Sequence, residues 1–233
     1  MYVGMLVNVI VCFIVGIANL AAFWMLRGIR KKQKLKYSQG IDYFVLFLGL
    51  LWPLVGIRIF FAYLGRPDLD IFMWKWFTGP MTYLHPLPLF AYFSWLFFRN
   101  SKIRFLFNSF FVLTTLFTIF TFFKYGFTVG EITFFGTKPV SNDLTHKIFT
   151  FGIFLPLITC AIIDFFKRLR SWIKNKDLLG KQLFGFSIAI LLYGTVGAFE
   201  GLSLVKGWTM LLTRLVIMVS ALVFYLSASE KTE

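Results

Sequence analysis

Histidine, cysteine and acidic side chains are scarce in this chain: two His, two Cys and ten Asp and Glu stand among 233 residues. Cys12 and Cys160 each lie inside an apolar run and form no C-x-x-C pair, which argues against a thiol–disulfide centre and a structural zinc site. His85 and His146 form no H-E-x-x-H pattern and have no spacing recognisable as a haem site. A G-x-S-x-G elbow and a Walker A loop are also missing, so no catalytic residue, metal or cofactor is assigned. No lysine lies between Lys206 and Lys231, which removes the Schiff-base position that a light-driven retinal pump needs in its last span. Long polar stretches are absent too. The longest segment outside the apolar runs, about 124–147, is too short to bury a core of its own.

What fills the chain instead is apolar: 58% of the residues are hydrophobic and 32 are Phe, more than a water-soluble domain can keep off its surface. Seven apolar runs, at 5–26, 43–64, 79–98, 105–123, 148–166, 183–204 and 208–226, each approach the ~20 residues that carry a helix across a bilayer. Continuous runs such as FFVLTTLFTIF at 110–120 lack the alternation of a transmembrane barrel strand. The expected fold is therefore an all-α integral membrane protein, one seven-helix domain over 1–233. The first run has no basic segment before it and no cleavage pattern, so it is expected to be retained as a span.

Basic residues set the expected orientation, because basic loops resist translocation. Fifteen Lys and Arg fall in the connections after the first, third and fifth runs, against six in the connections on the other side. This predicts a multi-pass protein of the cell membrane with its N-terminus outside and its C-terminus in the cytoplasm. The net charge of +14 then follows from topology and from attraction of juxtamembrane lysines to anionic membrane lipid, and no nucleic acid partner is expected. In 168–180, RLRSWIKNKDLLG reads as a short surface helix with a basic face against phospholipid. In 124–147, FTVGEITFFGT places aromatic and β-branched residues around glycines, a pattern open to a small hairpin cap or a plain loop. Trp74 and Trp76 fit an interfacial belt.

Polar residues inside the runs carry the functional reading, since a charge facing lipid costs several kcal/mol and needs a partner or a wet cavity. Arg58, His85, Glu200 and Arg214 all count to the outer third of their runs. The short connection at 205–207 makes the last two helices neighbours and pairs Glu200 with Arg214, either as a lock or as part of an anion-binding pocket. Pro86 and Pro88 bend the third run beside His85, and Tyr83 and Tyr92 flank it. The six residues Arg58, His85, Glu200, Arg214, Tyr83 and Tyr92 form the candidate ligand-binding set.

The order LAAFWMLRGIRKKQKLK (20–36), VLFLGLLWPLVG (45–56) and HPLPLFAYFSWLFF (85–98) resembles the seven-helix N-terminal sensor module of membrane histidine kinases. The resemblance implies ligand sensing within the helical bundle and transmission to a cytosolic partner. That module normally precedes a kinase domain, whereas SASEKTE is all that follows Leu226 in this sequence, so either signalling passes through a separate protein or the sequence is a piece of a longer chain. The expected function is thus a receptor-like protein that takes a lipid or a small anionic or amphipathic ligand on its outer side. The alternatives are a non-catalytic subunit of a larger membrane complex, a small-solute transporter and an intramembrane lipid-modifying enzyme.

Overall fold

The computed structural model describes residues 3–33, 39–128, 132–134, 136–137, 140–175, 178–201 and 209–229. The basic stretch 34–38, the 202–208 connection and the side chain of Glu200 lie outside the described part.

In lipid no water is at hand for a bare N–H or C=O, so an apolar run satisfies its backbone internally as a helix. Helices α1 (Val3–Gln33) and α2 (Gln39–Tyr63) do this over their whole length. Gly65, at φ 72°, ends the second, and Pro67 opens α3 (Pro67–Met73), because its missing N–H is no loss in a first turn. The chain continues through a π-helical turn, Trp74–Thr78, into α4 (Gly79–Leu84) and α5 (Leu87–Phe97). The third expected run is therefore not one uninterrupted helix. Pro86 and Pro88 supply no N–H, and the chain breaks at His85 and Pro86.

Asn100, in an extended conformation, accepts the Lys102 N–H at 2.8 Å and caps α6 (Ser101–Tyr125). Gly126, at φ 75°, closes that helix. Short antiparallel ladders follow: β1 (Phe127–Thr128) pairs with β4 (Val140–Ser141), and β2 (Ile132–Thr133) with β3 (Gly136–Thr137). Asn142 caps α7 (Asp143–Phe149) through Thr145 N–H at 2.9 Å. Its amide also donates to the Gly126 carbonyl at 3.0 Å and the Thr145 hydroxyl at 2.8 Å, tying the end of α6 to the start of α7. A second π-helical turn, Thr150–Phe154, leads into α8 (Leu155–Asn175), followed by α9 (Leu178–Gly201) and α10 (Thr209–Ser229).

Among the described residues, five helical stretches are long and apolar enough to cross a membrane: Val3–Gly28, Gln39–Tyr63, Ser101–Tyr125, Asp143–Lys174 and Thr209–Ser227. With the broken α3–α5 rod and α9 they close a ring in chain order. α1 packs on α2, α2 on α5, α5 on α6, α6 on α7 and the second π turn, α8 on α9, α9 on α10, and α10 back on α1.

Lipid tails are as apolar as Leu, so close backbone approach and interhelical hydrogen bonds hold such helices together. Between α1 and α2 the approach is made by small residues. A Cβ on Gly16 would lie 2.5 Å from Pro53, and one on Gly49 would lie 2.8 Å from Leu20. Between α9 and α10 the buried Ser220 hydroxyl donates to the Ala189 carbonyl at 2.8 Å. The bundle interior is aromatic, while α6 turns Phe105, Leu106, Phe110, Leu113 and Phe117 outward.

Candidate functional site

Buried polar side chains gather at three levels of the ring. At the hairpin end, Arg58 of α2 meets Asp70 of α3, with Nε and Oδ1 2.9 Å apart and the N–H directed off the oxygen, an ionic contact rather than an aligned hydrogen bond. Nη2 of Arg58 donates to the Thr137 carbonyl of β3 at 2.9 Å, and the Thr137 hydroxyl donates to Oδ2 of Asp70 at 2.5 Å. The Trp74 ring centroid lies 5.1 Å from the guanidinium carbon. Arg58, Asp70 and Thr137 are all at most 5% exposed. Turning α2 back through Gly65 and Pro67 brings the α3 carboxylate over the arginine, and the strand then fits between them. The base and the acid neutralise each other where a lone charge would be most costly. Nearby, the Tyr83 hydroxyl lies 2.5 Å from that of Ser141, and its ring meets Phe122 and Phe149 edge-on.

His85 occupies the middle level, at the break of the third rod. Its Nε2 lies 2.7 Å from the Tyr193 hydroxyl of α9, and the ring is 1% exposed. Phe44 of α2, Phe154 of the second π turn and Tyr193 surround it with centroids 5.5–6.5 Å away, and Phe224 of α10 packs on Phe44. Pro86 deprives the Thr82 carbonyl of its helical donor. The Tyr193 hydroxyl and Nε2 share one hydrogen bond, in which either donates according to the imidazole tautomer. Two irregular pieces of backbone, the proline break and a π turn, thus meet one buried imidazole near the axis of the ring. Such irregularities recur at functional positions in helices.

At the opposite end, Asp164 of α8 is 1% exposed and accepts from three residues. Ser187 of α9 donates at 2.6 Å, Tyr92 of α5 at 3.3 Å, and Arg168 one turn along α8 at 3.2 Å.

The six candidate residues are therefore spread along the bundle. Arg58 and Tyr83 sit with the hairpin, and His85 sits at the centre. Tyr92 lies seven residues on, about 10 Å along the helix axis, with Asp164. Arg214 is buried over the Trp52 ring, 4.5 Å from its centroid, whereas Arg58 stacks on Trp74. Glu200 lies in the last turn of α9, and its pairing with Arg214 falls outside the described part.

Asp70, Thr137, Asp164, Ser187 and Tyr193 complete these clusters without having stood in the candidate set. Asp70 and Asp68 are two residues apart on a short helix and point to different sides. The first is buried while the second pairs with Arg66 in the open. A pattern of alternating acids beside Pro67 was the available signal, but which acid turns inward depends on the Gly65 turn. Outside the spans, the Arg66 hydrogen bond holds the Asp68 carboxyl below its ordinary value. Among the described residues no group of three or more His, Cys, Asp and Glu gathers as a metal site.

No protein-family model matches the chain, and no curated protein or solved structure is significantly similar to it.

Proposed function

We propose that the chain is a receptor-like sensory protein of the cell membrane, built of seven spans with the N-terminus outside and the C-terminus in the cytoplasm. It takes a lipid or a small anionic or amphipathic molecule from the hairpin side and signals to a separate protein. The observation that carries this reading is the position of His85: a buried imidazole in an aromatic surround, at the point where the broken third rod and the π turn of the fifth meet α9. A ligand entering there would act on two backbone irregularities at once, and a shift of either rod reaches the opposite end of the bundle. Fifteen basic residues against six in the connections support the orientation.

The test is native mass spectrometry of the full chain released gently from its own membrane, with fragmentation of whatever travels with it. A stoichiometric small molecule that is lost in His85→Phe, with folding retained, is the expected result. A protein assembly with no such molecule would replace this reading with that of a complex subunit.

The same meeting of two irregular rods favours a small-solute transporter as the second reading, because discontinuous helices build the sites of many transporters. Liposome uptake separates the two. A selective flux abolished by His85→Phe would favour transport.

A further inference from the structure

α8 starts from the second π turn, and π turns are places where long helices bend. That turn is wedged near the bundle axis: the Phe154 ring centroid lies 6.5 Å from that of His85, and a Cβ on Gly197 of α9 would collide with the Phe154 ring. Toward the hairpin, α6 covers the rod. Thr121 is bonded to Thr145 of α7, and Thr114 would lie 2.9 Å from a Cβ on Gly152. Away from the hairpin, Phe110 and Ile103 continue the same side of α6, one and three turns from Thr114, and are 58% and 46% exposed. α8 has therefore left α6 in this half of the bundle, and α5 is the rod it meets across the gap.

The α5–α8 contact is slender. The Tyr92 hydroxyl donates to Asp164 at 3.3 Å, and the Lys167 ammonium lies 4.7 Å from the Phe97 centroid. On either side the packing is closer. Phe90 of α5 stacks on Phe111 of α6 at 3.5 Å, and a Cβ on Gly40 would press on the Pro88 carbonyl, so α5 belongs with α2 and α6. Trp172 of α8 stacks on Phe184 of α9 at 5.2 Å, and Ser187 of α9 donates to Asp164 at 2.6 Å, so α8 belongs with α9. When α8 parts from α5, Asp164 keeps Ser187 and Arg168 and loses an uncharged phenol. Parting strands no charge, which is what makes breaking a buried ionic contact so costly. We infer that α5 and α8 form a gate at the end of the bundle away from the hairpin, in which α8 swings with α9 about the π turn and the Tyr92–Asp164 hydrogen bond is the latch. The gate rests on the sensory reading for its trigger, a ligand beside His85 and Phe154, whereas pivot and latch belong to the chain itself.

The test measures distances between spin labels by pulsed electron paramagnetic resonance on the full chain in lipid nanodiscs, with Cys12→Ala and Cys160→Ala as the background. One label pair, Arg99→Cys with Arg170→Cys, spans the gate at two exposed positions. A second, Lys124→Cys with Lys147→Cys, spans α6 and α7 at the hairpin end. Tyr92→Phe keeps the ring and removes the latch, and is expected to raise a longer-distance population across the gate by about tenfold, the effect of losing one hydrogen bond to a charged group. Lys167→Gln, at an exposed position, is expected to raise it by a smaller factor. Ser187→Ala removes a bond to the same carboxylate from the moving side and is expected not to raise it. The hairpin pair is expected to keep its distance throughout. A gate distance unaltered by Tyr92→Phe, an equal response to Ser187→Ala, or both label pairs lengthening together would overturn the gate. No ligand is added, so such a failure leaves the mass-spectrometric test of the His85 ligand standing on its own.

Discussion

The Tyr193 hydroxyl lies 2.7 Å from Nε2 of His85, joining α9 to the third rod at the residue where that rod breaks. Both groups are buried, so neither has water to fall back on. Tyr193→Phe is expected to lower stability by about 1–3 kcal/mol, the usual cost of stranding a buried hydrogen-bonding group. His85→Phe combined with Tyr193→Phe is expected to cost less than the sum of the two changes, since residues in contact couple. Thermal unfolding of the four proteins in one detergent measures this, and strictly additive losses would show that the contact carries no energy.

Arg58 and Asp70 should behave as a unit. Removing one partner leaves a buried charge, and Asp70→Ala or Arg58→Ala alone is expected to cost about 3–5 kcal/mol. Arg58→Met with Asp70→Leu together should recover much of that loss. Because Thr137 bonds both residues, the single variants should also expose the hairpin to added protease, and the double variant should do so as well. A hairpin equally protected in all of them would separate it from the ion pair.

Close packing of α1 on α2 predicts a contrast between two glycines of one helix. Gly16→Ala would drive its new methyl into Pro53 and is expected to cost about 1–3 kcal/mol through overpacking. Gly28→Ala meets nothing within 4 Å and is expected to be neutral or to stabilise by up to about 1 kcal/mol through helix propensity. Comparing their unfolding midpoints decides it, and a Gly16→Ala protein as stable as the parent would contradict the helix contact.

Asp68 supplies a pH-dependent contact outside the spans. Arg66 donates to its carboxylate at 3.1 and 2.8 Å and lowers its pKa from the ordinary 3.8. The contact is therefore complete above the unfolded value and is lost as the pH falls through the lower folded one. Arg66→Ala is expected to return the titration midpoint of Asp68 toward 3.8, read from its carboxyl carbon by NMR. Both side chains are exposed, so the same change should leave the unfolding midpoint near its original place.

The helices were legible because lipid allows a continuous apolar run few other forms, and Pro86 with Pro88 announced the break in the third. The ends of the helices were less so. α1 continues to Gln33 and α8 to Asn175, beyond the apolar runs, since a hydrophobic stretch marks what lies in lipid rather than where helical hydrogen bonding stops. Rotation was the larger gap. Counting residues from a helix end places Arg58 and Arg214 at similar depths, but it does not reveal that one stacks on Trp74 and the other on Trp52. Tyr92 was drawn toward His85 by proximity in the chain, whereas seven residues of helix carry it to Asp164. The inward turn of Asp70 depends on Gly65 and Pro67 together with a strand some seventy positions away, a long-range arrangement that no local pattern encodes.

A ring closed in chain order has a seam, and here the seam joins the earliest of these helices to be synthesised, α1, to the latest, α10. As the chain leaves the ribosome, α1 and α2 can dock at once through Gly16 and Gly49. The other flank of α1 must wait for α10. Trp52 waits as well, because the guanidinium that covers it belongs to Arg214 on that final helix. Docking of α10 on α1 is therefore expected to close the ring and cover that indole together, an event that the fluorescence of a variant keeping Trp52 as its one tryptophan would report.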